Sequence, residues 1–327
     1  MQEILAYLKP GMERVNAFID LALVSDIPLL DSTNRSLREH PGKMLRPMLS
    51  LLVAGAAGAA KPPPEDTYRY AAATEILHNA TLLHDDVVDG ATERRGLPTV
   101  ASVMGGSAAV LIGDYWLEKC LQLILGARRE TDRVLRLFAQ TIGHLTEGEL
   151  LQMQKAISAD TTQADYLRIV YGKTASLFES AALSAAISVA ASEQVVRCMG
   201  DFAFQLGLAF QIKDDIFDYE EDAADIGKPV GIDLKEQKIT QPLLCALESV
   251  GADENARIRA LVRDIPDHPE YADEVRAFVK AQNGSQKAVR VMDDYVEKAI
   301  SCLDILPESQ EKLYLAKMAK YVGQRNK

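Results

Sequence analysis

Apolar residues recur along this chain at intervals of three and four almost throughout, and no segment shows clear alternation with a period of two. The first spacing lines one face of a helix and the second one face of a strand, so the pattern predicts helices alone. From Leu45 to Ala60 the residues are, Arg46 apart, small or apolar, which predicts a buried helix. Lys61-Pro62-Pro63-Pro64 ends it, because proline cannot donate the amide hydrogen a helix needs. A second helix starts at Glu65 and Asp66, whose charge suits the positive end of the helix dipole, and runs through AAATEILHNATLLHDDVVD to about Asp89. It is apolar nearly all round until its last turn, as in a helix at the middle of a bundle. Further helices are predicted at about 99–125, 129–142, 145–157, 161–172, 174–190, 192–219, 236–250, 254–264, 270–282, 284–304 and 308–323. A polar loop, GATERRGLP, follows the second helix, and EEDAADIGKPVGIDLKEQK near 220–238 is the one long polar interruption, rich in Gly, Pro and Asp and read as a loop or lid. With no linker, low-complexity tract or short-period repeat, the expectation is a single all-α domain spanning 1–327.

Composition agrees with this. Of the 327 residues 48% are apolar, enough for a sizeable core, while aromatic residues make up only 6%, which favours helix over sheet. A net charge of -11 argues against a nucleic-acid surface. Cys120, Cys198, Cys245 and Cys302 stand far apart among apolar neighbours and read as core thiols in a reducing compartment. The first residues, MQEILAYLKPGMERV, lack the layout of a signal peptide, and the longest apolar run, Pro47 to Ala60, is too short to span a bilayer. The expected location is the cytoplasm.

The chemistry gathers at an internal echo. HDDVVDG at 84–90 and KDDIFDY at 213–219 both carry D-D-x-x-D, and each ends a long apolar helix. The outer aspartates of each motif, Asp85 with Asp89 and Asp214 with Asp218, are four residues apart and share a face, with Asp86 and Asp215 turned aside. A solvated helix end is the plain reading of such a motif. Against it, like charges at this spacing repel, they sit where the dipole disfavours them, and the apolar runs before them put them at the mouth of the core. A hard divalent cation resolves that conflict, and oxygen-only ligands favour Mg²⁺ over Zn²⁺. His84 reads as a partly buried neighbour rather than a ligand. Mg²⁺ usually bridges one or two carboxylates to substrate phosphates, so two acidic sets suggest a diphosphate held from both sides. There is no G-x-x-x-x-G-K-[ST] loop, which argues against nucleotide hydrolysis. Lys43 and Arg46, Arg94 and Arg95, Lys173, and Lys228 and Lys238 stand near these motifs. Singly each is a surface charge; together they suit one metal-bound diphosphate and one metal-free diphosphate.

The segments GKMLRP at 42–47, EILHNATLLHDDVVDGATERRG at 75–96, GDYWL at 113–117, TEGELLQ at 146–152, YGKTASLF, FQIKDDIFDY and GKPVGIDLKEQKITQPLL occur in an order that resembles the trans-isoprenyl diphosphate synthases (polyprenyl synthetases), in particular the long-chain bacterial type. LPES and the final YVGQRNK fit the same resemblance, which covers nearly the whole chain. It implies an isoprenoid synthase-like helical bundle with a central substrate cavity, and a prenyltransferase joining isopentenyl diphosphate head to tail to an allylic diphosphate. It further implies about three Mg²⁺ ions per site, bound by Asp85, Asp89 and Asp214, with Asp86, Asp215 and Asp218 beside them and Lys173 and Lys228 completing the catalytic set. Arg94, Lys173, Thr174, Gln211 and Lys228 would hold the allylic diphosphate. Lys43, Arg46, His78 and Arg95 would hold isopentenyl diphosphate, and Lys238 would close over the site. The family is commonly homodimeric, and its product implies transient membrane contact on release without a membrane span. Pro41, Met44, Gln237, Gln241 and Gly284-Ser285 depart from the usual pattern without removing a proposed metal or phosphate group.

Product length follows from helix geometry. One turn before Asp85 stand Ala80 and Thr81, with Leu77 and Thr74 below them, and a turn rises about 5.4 Å, roughly an isoprene unit. In short-chain members an aromatic residue near this place blocks elongation; small residues here imply a long product, hexa- to octaprenyl or beyond. Ordinary packing is the alternative reading of these residues, with Leu77 or Trp116 as the floor. A geranylgeranyl- or farnesyl-length synthase, a terpene cyclase and an inactive regulatory subunit are the rival functions. A cyclase has no use for a second diphosphate site, and an inactive subunit would be expected to have lost site residues that are all present.

Overall fold

The computed structural model describes residues 1–39, 42–58, 61–94, 96–220 and 231–325. Arg95 and Lys228, both among the expected phosphate-binding residues, lie outside them, as does Pro41. Sixteen α-helices are described, in the order α1 (Gln2–Ala22), α2 (Pro28–Glu39), α3 (Leu45–Ala57), α4 (Glu65–Val88), α5 (Val100–Met104), α6 (Gly106–Leu125), α7 (Thr131–Ser158), α8 (Gln163–Val170), α9 (Ser176–Ser188), α10 (Glu193–Tyr219), α11 (Ile232–Lys235), α12 (Gln241–Leu247), α13 (Ala252–Asp264), α14 (Tyr271–Ala281), α15 (Gly284–Ser301) and α16 (Gln310–Gln324). The all-helical expectation holds, and none of the helices is long and apolar enough to cross a membrane among the described residues.

The chain packs as two compact units. The first comprises Met1–Ala139, Ser180–Gly200 and Ile305–Leu315; the second comprises Gln140–Glu179, Asp201–Asp304 and Ala316–Lys327, apart from the residues not described. In the first unit α4 lies against α1, α3 and α6. Ala71, Ala72, Ala73 and Ile76 are wholly buried, so α4 is the central helix its pattern predicts. Asp66 in its first turn does more than face the dipole: its carboxylate accepts the backbone N–H groups of Arg128 and Arg129 at 3.1–3.2 Å. In the second unit α12 packs on α15 and α8, and α14 packs on α13 and α15.

Several boundaries differ from the sequence reading, each for a local reason. The helix expected over 99–125 breaks at Gly105, whose φ of 87° a residue with a side chain rarely adopts. The helices expected over 129–142 and 145–157 are the single α7. The polar loop after α4 contains a two-stranded hairpin, β1 (Glu93–Arg94) and β2 (Leu97–Pro98), too short for alternation to register. Only 241–247 of the helix expected near 236–250 forms as such, preceded by the short α11. The first forty residues add α1 and α2, which the pattern left without assigned bounds. Cys120 and Cys245 are buried thiols as expected, whereas Cys198 and Cys302 are only half-buried.

Candidate active site

In the first unit the acidic motif forms the last turn of α4. Asp85 is half-buried, Asp86 is buried, and Asp89 is exposed just past the helix end, its N–H donating to the Asp85 carbonyl at 2.8 Å. Asp86 does not reach solvent because β1 returns Arg94 to it, with Nε 2.7 Å from Oδ1. Burial pushes the Asp86 carboxyl up and the Arg94 guanidinium draws it back down. His84 lies 3.2 Å from the Val110 carbonyl and occupies the space a side chain at Gly113 would need, so it is a packing neighbour of the motif. Lys43 is exposed ahead of α3, Arg46 is buried in its first turn, and His78 is half-buried on α4. Of the residues expected to govern product length, Leu77 and Ala80 are packed at 1% and 2% exposure, while Thr81 is half-buried and donates to the His78 carbonyl. Trp116 is buried, its Nε1 donating to Asn34 at 2.7 Å.

In the second unit a wide π-helical turn, Tyr171–Ala175, joins α8 to α9 and carries Lys173 and Thr174. Gly172 in this turn touches Gly148 on α7: a Cβ on Gly172 would meet the Gly148 Cα at 2.8 Å and the His144 carbonyl at 2.6 Å. Only glycine permits that approach, which sets Lys173 Nζ 2.5 Å from Glu149 Oε2 on α7. Thr174 donates to Gln211 Oε1 at 2.8 Å, Gln211 donates to Asp215 Oδ1 at 3.0 Å, and Tyr166 donates to Asp215 Oδ2 at 2.5 Å. A cavity of about 180 Å³ collects Lys173, Gln211, Asp215 and Lys238 from the expected set, together with Tyr166 and Asp233. Lys238 is ion-paired with Glu236.

The second motif carries less free charge than its letters suggest. Asp214 accepts from Arg325 Nη2 at 2.8 Å, and the Arg325 guanidinium stacks 3.9 Å above the Phe210 ring. Both oxygens of Asp215 are engaged, and both oxygens of Asp218 accept backbone N–H groups, from Ile232 and Asp233 at 3.0 Å each. The Asp215 carboxylate thus bonds Gln211 and Tyr166, and that of Asp218 the chain at 231–233. Burial pushes Asp215 up to about 6, with Asp214 adding to the rise while Gln211 and Tyr166 oppose it. Burial likewise raises Asp218, and raises Asp233 well above the usual carboxylate range, with Asp215 and Asp218 adding to it. Sequence reasoning missed Tyr166, Asp233, Glu149 and Arg325. Tyr166 stands seven residues before Lys173, two helical turns on one face, which is the signal that could have found it.

These surroundings fit a hard cation held jointly with a ligand. Among the described residues no three His, Cys, Asp or Glu side chains gather as a ready metal cage. Magnesium seldom uses one; one or two carboxylates and phosphate oxygens suffice. The exposed Asp89, one turn from Asp85, suits that role, and Asp214 already sits against a cation, Arg325.

The family model for polyprenyl synthetase matches residues 27–281. Octaprenyl diphosphate synthase of Haemophilus influenzae is 35% identical over 100% of this chain and 97% of its own length. The geranyl-diphosphate-specific all-trans-nonaprenyl-diphosphate synthase of Rhodobacter capsulatus is 34% identical over 98% of this chain and 96% of its own. A polyprenyl synthase from Caulobacter crescentus, solved with calcium and isoprenyl diphosphate, superposes with a TM-score of 0.89 at 30% identity, covering 100% of this chain and 98% of that one. The chain belongs to the polyprenyl synthetase family and is a trans-prenyl diphosphate synthase, a prenyltransferase.

Proposed function

We propose that the protein condenses isopentenyl diphosphate head to tail onto an allylic prenyl diphosphate, releases diphosphate and the proton lost from isopentenyl diphosphate, and repeats the step to an all-trans product of hexaprenyl to octaprenyl length or longer. The observation that carries this reading is the cavity of the second unit, where Lys173, Gln211 and Lys238 bring two cations and an amide from three separate elements beside buried carboxylates. Cations and amide donors so arranged suit diphosphate oxygens. Lys173, Thr174, Gln211, Arg94 and Lys228 hold the allylic diphosphate in this reading. Lys43, Arg46, His78 and Arg95 hold the second diphosphate, and Lys238 closes the site. Asp85, Asp89 and Asp214 would hold Mg²⁺, about three ions per site, and the calcium and isoprenyl diphosphate in the Caulobacter relative support a divalent ion at a diphosphate. When bound, the metal offsets negative charge on the departing diphosphate. Glu149 holds the Lys173 ammonium oriented before any ligand arrives, so the diphosphate meets a fixed cation rather than a mobile one.

Ala80 and Thr81 set no aromatic barrier before Asp85, which supports the longer product; the relatives differ in length, octaprenyl in one and nonaprenyl in another. The protein works as a cytoplasmic homodimer in this reading, with transient membrane contact when product leaves. Mass analysis of products from purified protein, Mg²⁺, farnesyl diphosphate and isopentenyl diphosphate is the test. Prenyl diphosphates of hexaprenyl length or longer are expected. A product that stops at geranylgeranyl overturns the length, and a product formed without isopentenyl diphosphate overturns the condensation.

A further inference from the structure

The cavity of the second unit is ordered from one buried carboxylate. Lys173 and Lys238 line it together with the carboxylate of Asp215, which is 3% exposed. A buried carboxylate is costly unless its oxygens are hydrogen-bonded, and Lys173 and Lys238 are already paired with Glu149 and Glu236. Tyr166 supplies one of the bonds Asp215 needs. Its side chain is itself 3% exposed, and its hydroxyl donates to Asp215 Oδ2 at 2.5 Å, while Gln211 takes Oδ1 at 3.0 Å. The two donors approach different oxygens, so the carboxylate is fixed at both ends. From Asp215 the order passes outward: the Gln211 amide, tied through its nitrogen, presents its oxygen to the Thr174 hydroxyl at 2.8 Å. Tyr166 has its own firm seat, since α8 opens with a reciprocal cap in which Thr162 and Asp165 bond each other's backbone N–H groups.

We propose that Tyr166 is a positioning residue for the allylic diphosphate: through Asp215 it fixes Gln211 and Thr174. The proposal rests on the assignment of Lys173, Thr174 and Gln211 to that diphosphate made above. Tyr166 touches no reacting atom, so its loss weakens binding of one substrate more than it slows the chemical step.

Tyr166→Phe keeps the ring and its packing and deletes the one hydroxyl. The expected result is a KM for farnesyl diphosphate raised about tenfold, in keeping with loss of a charge-assisted hydrogen bond, with the KM for isopentenyl diphosphate changed less than about twofold. A second variant separates positioning from general damage. In Asp215→Asn the carboxylate charge is gone, so adding Tyr166→Phe should raise the farnesyl diphosphate KM little further, the mark of two residues acting through one contact. Calorimetric titration of a non-reacting farnesyl thiodiphosphate with Mg²⁺ present reads the same affinity without turnover. An unchanged farnesyl diphosphate KM in Tyr166→Phe, equal losses for both substrates, or effects of the two substitutions that simply multiply each overturns the proposal. If the unsubstituted protein binds the analogue but forms no product with isopentenyl diphosphate, the condensation reading fails while the affinity series still decides the role of Tyr166. If it does not bind the analogue, both fail.

Discussion

The two D-D-x-x-D motifs share their letters and their place at the end of an apolar helix, yet they are built differently. In α4 the middle aspartate meets a single arginine that returns on a surface hairpin, and Asp89 is exposed. In α10 the middle aspartate is fixed by Tyr166 and Gln211, the last is capped by two backbone amides, and the first rests against a buried arginine. Asp89 of the first motif is exposed, whereas most carboxylate oxygens of the second bond other residues of the chain. Spacing puts two carboxylates on one face, but surroundings decide whether they serve a ligand or the scaffold.

The sharpest way to break this contrast is at the outer position of the first motif. Asp85→Ala should lower condensation by about a thousandfold or more, as loss of a charge-stabilising group does, with an unchanged far-ultraviolet circular dichroism spectrum. Retained activity would remove α4 from the metal site. The next largest effect concerns pH in metal-free protein. The folded carboxyl of Asp215 lies near 6, above its ordinary value of 3.8. A raised acid favours the folded state when protonated, so this contribution is full below about pH 4 and fades as pH rises through about 6. It amounts to about 3 kcal/mol at most. Thermal melts in chelator should show wild type gaining stability relative to Asp215→Asn as pH falls from 7 to 4, and parallel curves would contradict the burial of that carboxylate. Ala80→Phe should shorten the product by one or more isoprene units, about one helical turn each, on thin-layer or mass analysis. An unchanged spectrum would take Ala80 out of the measure of length. Smallest is Gln237, which holds a left-handed φ of 57° and whose amide donates to the Arg263 carbonyl at 2.6 Å. Gln237→Gly relieves roughly 1 kcal/mol of strain and loses a hydrogen bond of similar size, so the melting temperature should move by only a few degrees.

The helices themselves were legible because apolar spacing is a property of neighbours in sequence. α4 reads as central from its own residues, and Asp85 with Asp89 reads as one face from spacing alone. What spacing could not supply is any contact made at a distance along the chain. The hydroxyl of Tyr166 finds Asp215 49 residues later, and Arg325 finds Asp214 111 residues earlier. The π-helical turn at 171–175 was equally hidden, since an extra residue in one turn leaves the apolar pattern on either side intact. The break at Gly105 was marked by Gly105-Gly106, but a continuous apolar pattern across it predicted an unbroken helix. Departures such as Gln237 and Gln241 could be seen in the sequence, but only the structure gives their reasons. Gln241 exchanges amide hydrogen bonds with Gln163 at 2.9 and 3.2 Å.

Arg325 gives the end of the last helix a reach out of proportion to its place. Proteolytic trimming that removed it would strip the counter-charge from Asp214 and uncover the Phe210 ring, altering the second acidic helix without cutting α10 itself. Preparations that differ only by a few carboxy-terminal residues are therefore different proteins electrostatically, and intact mass belongs beside any comparison of their metal affinities.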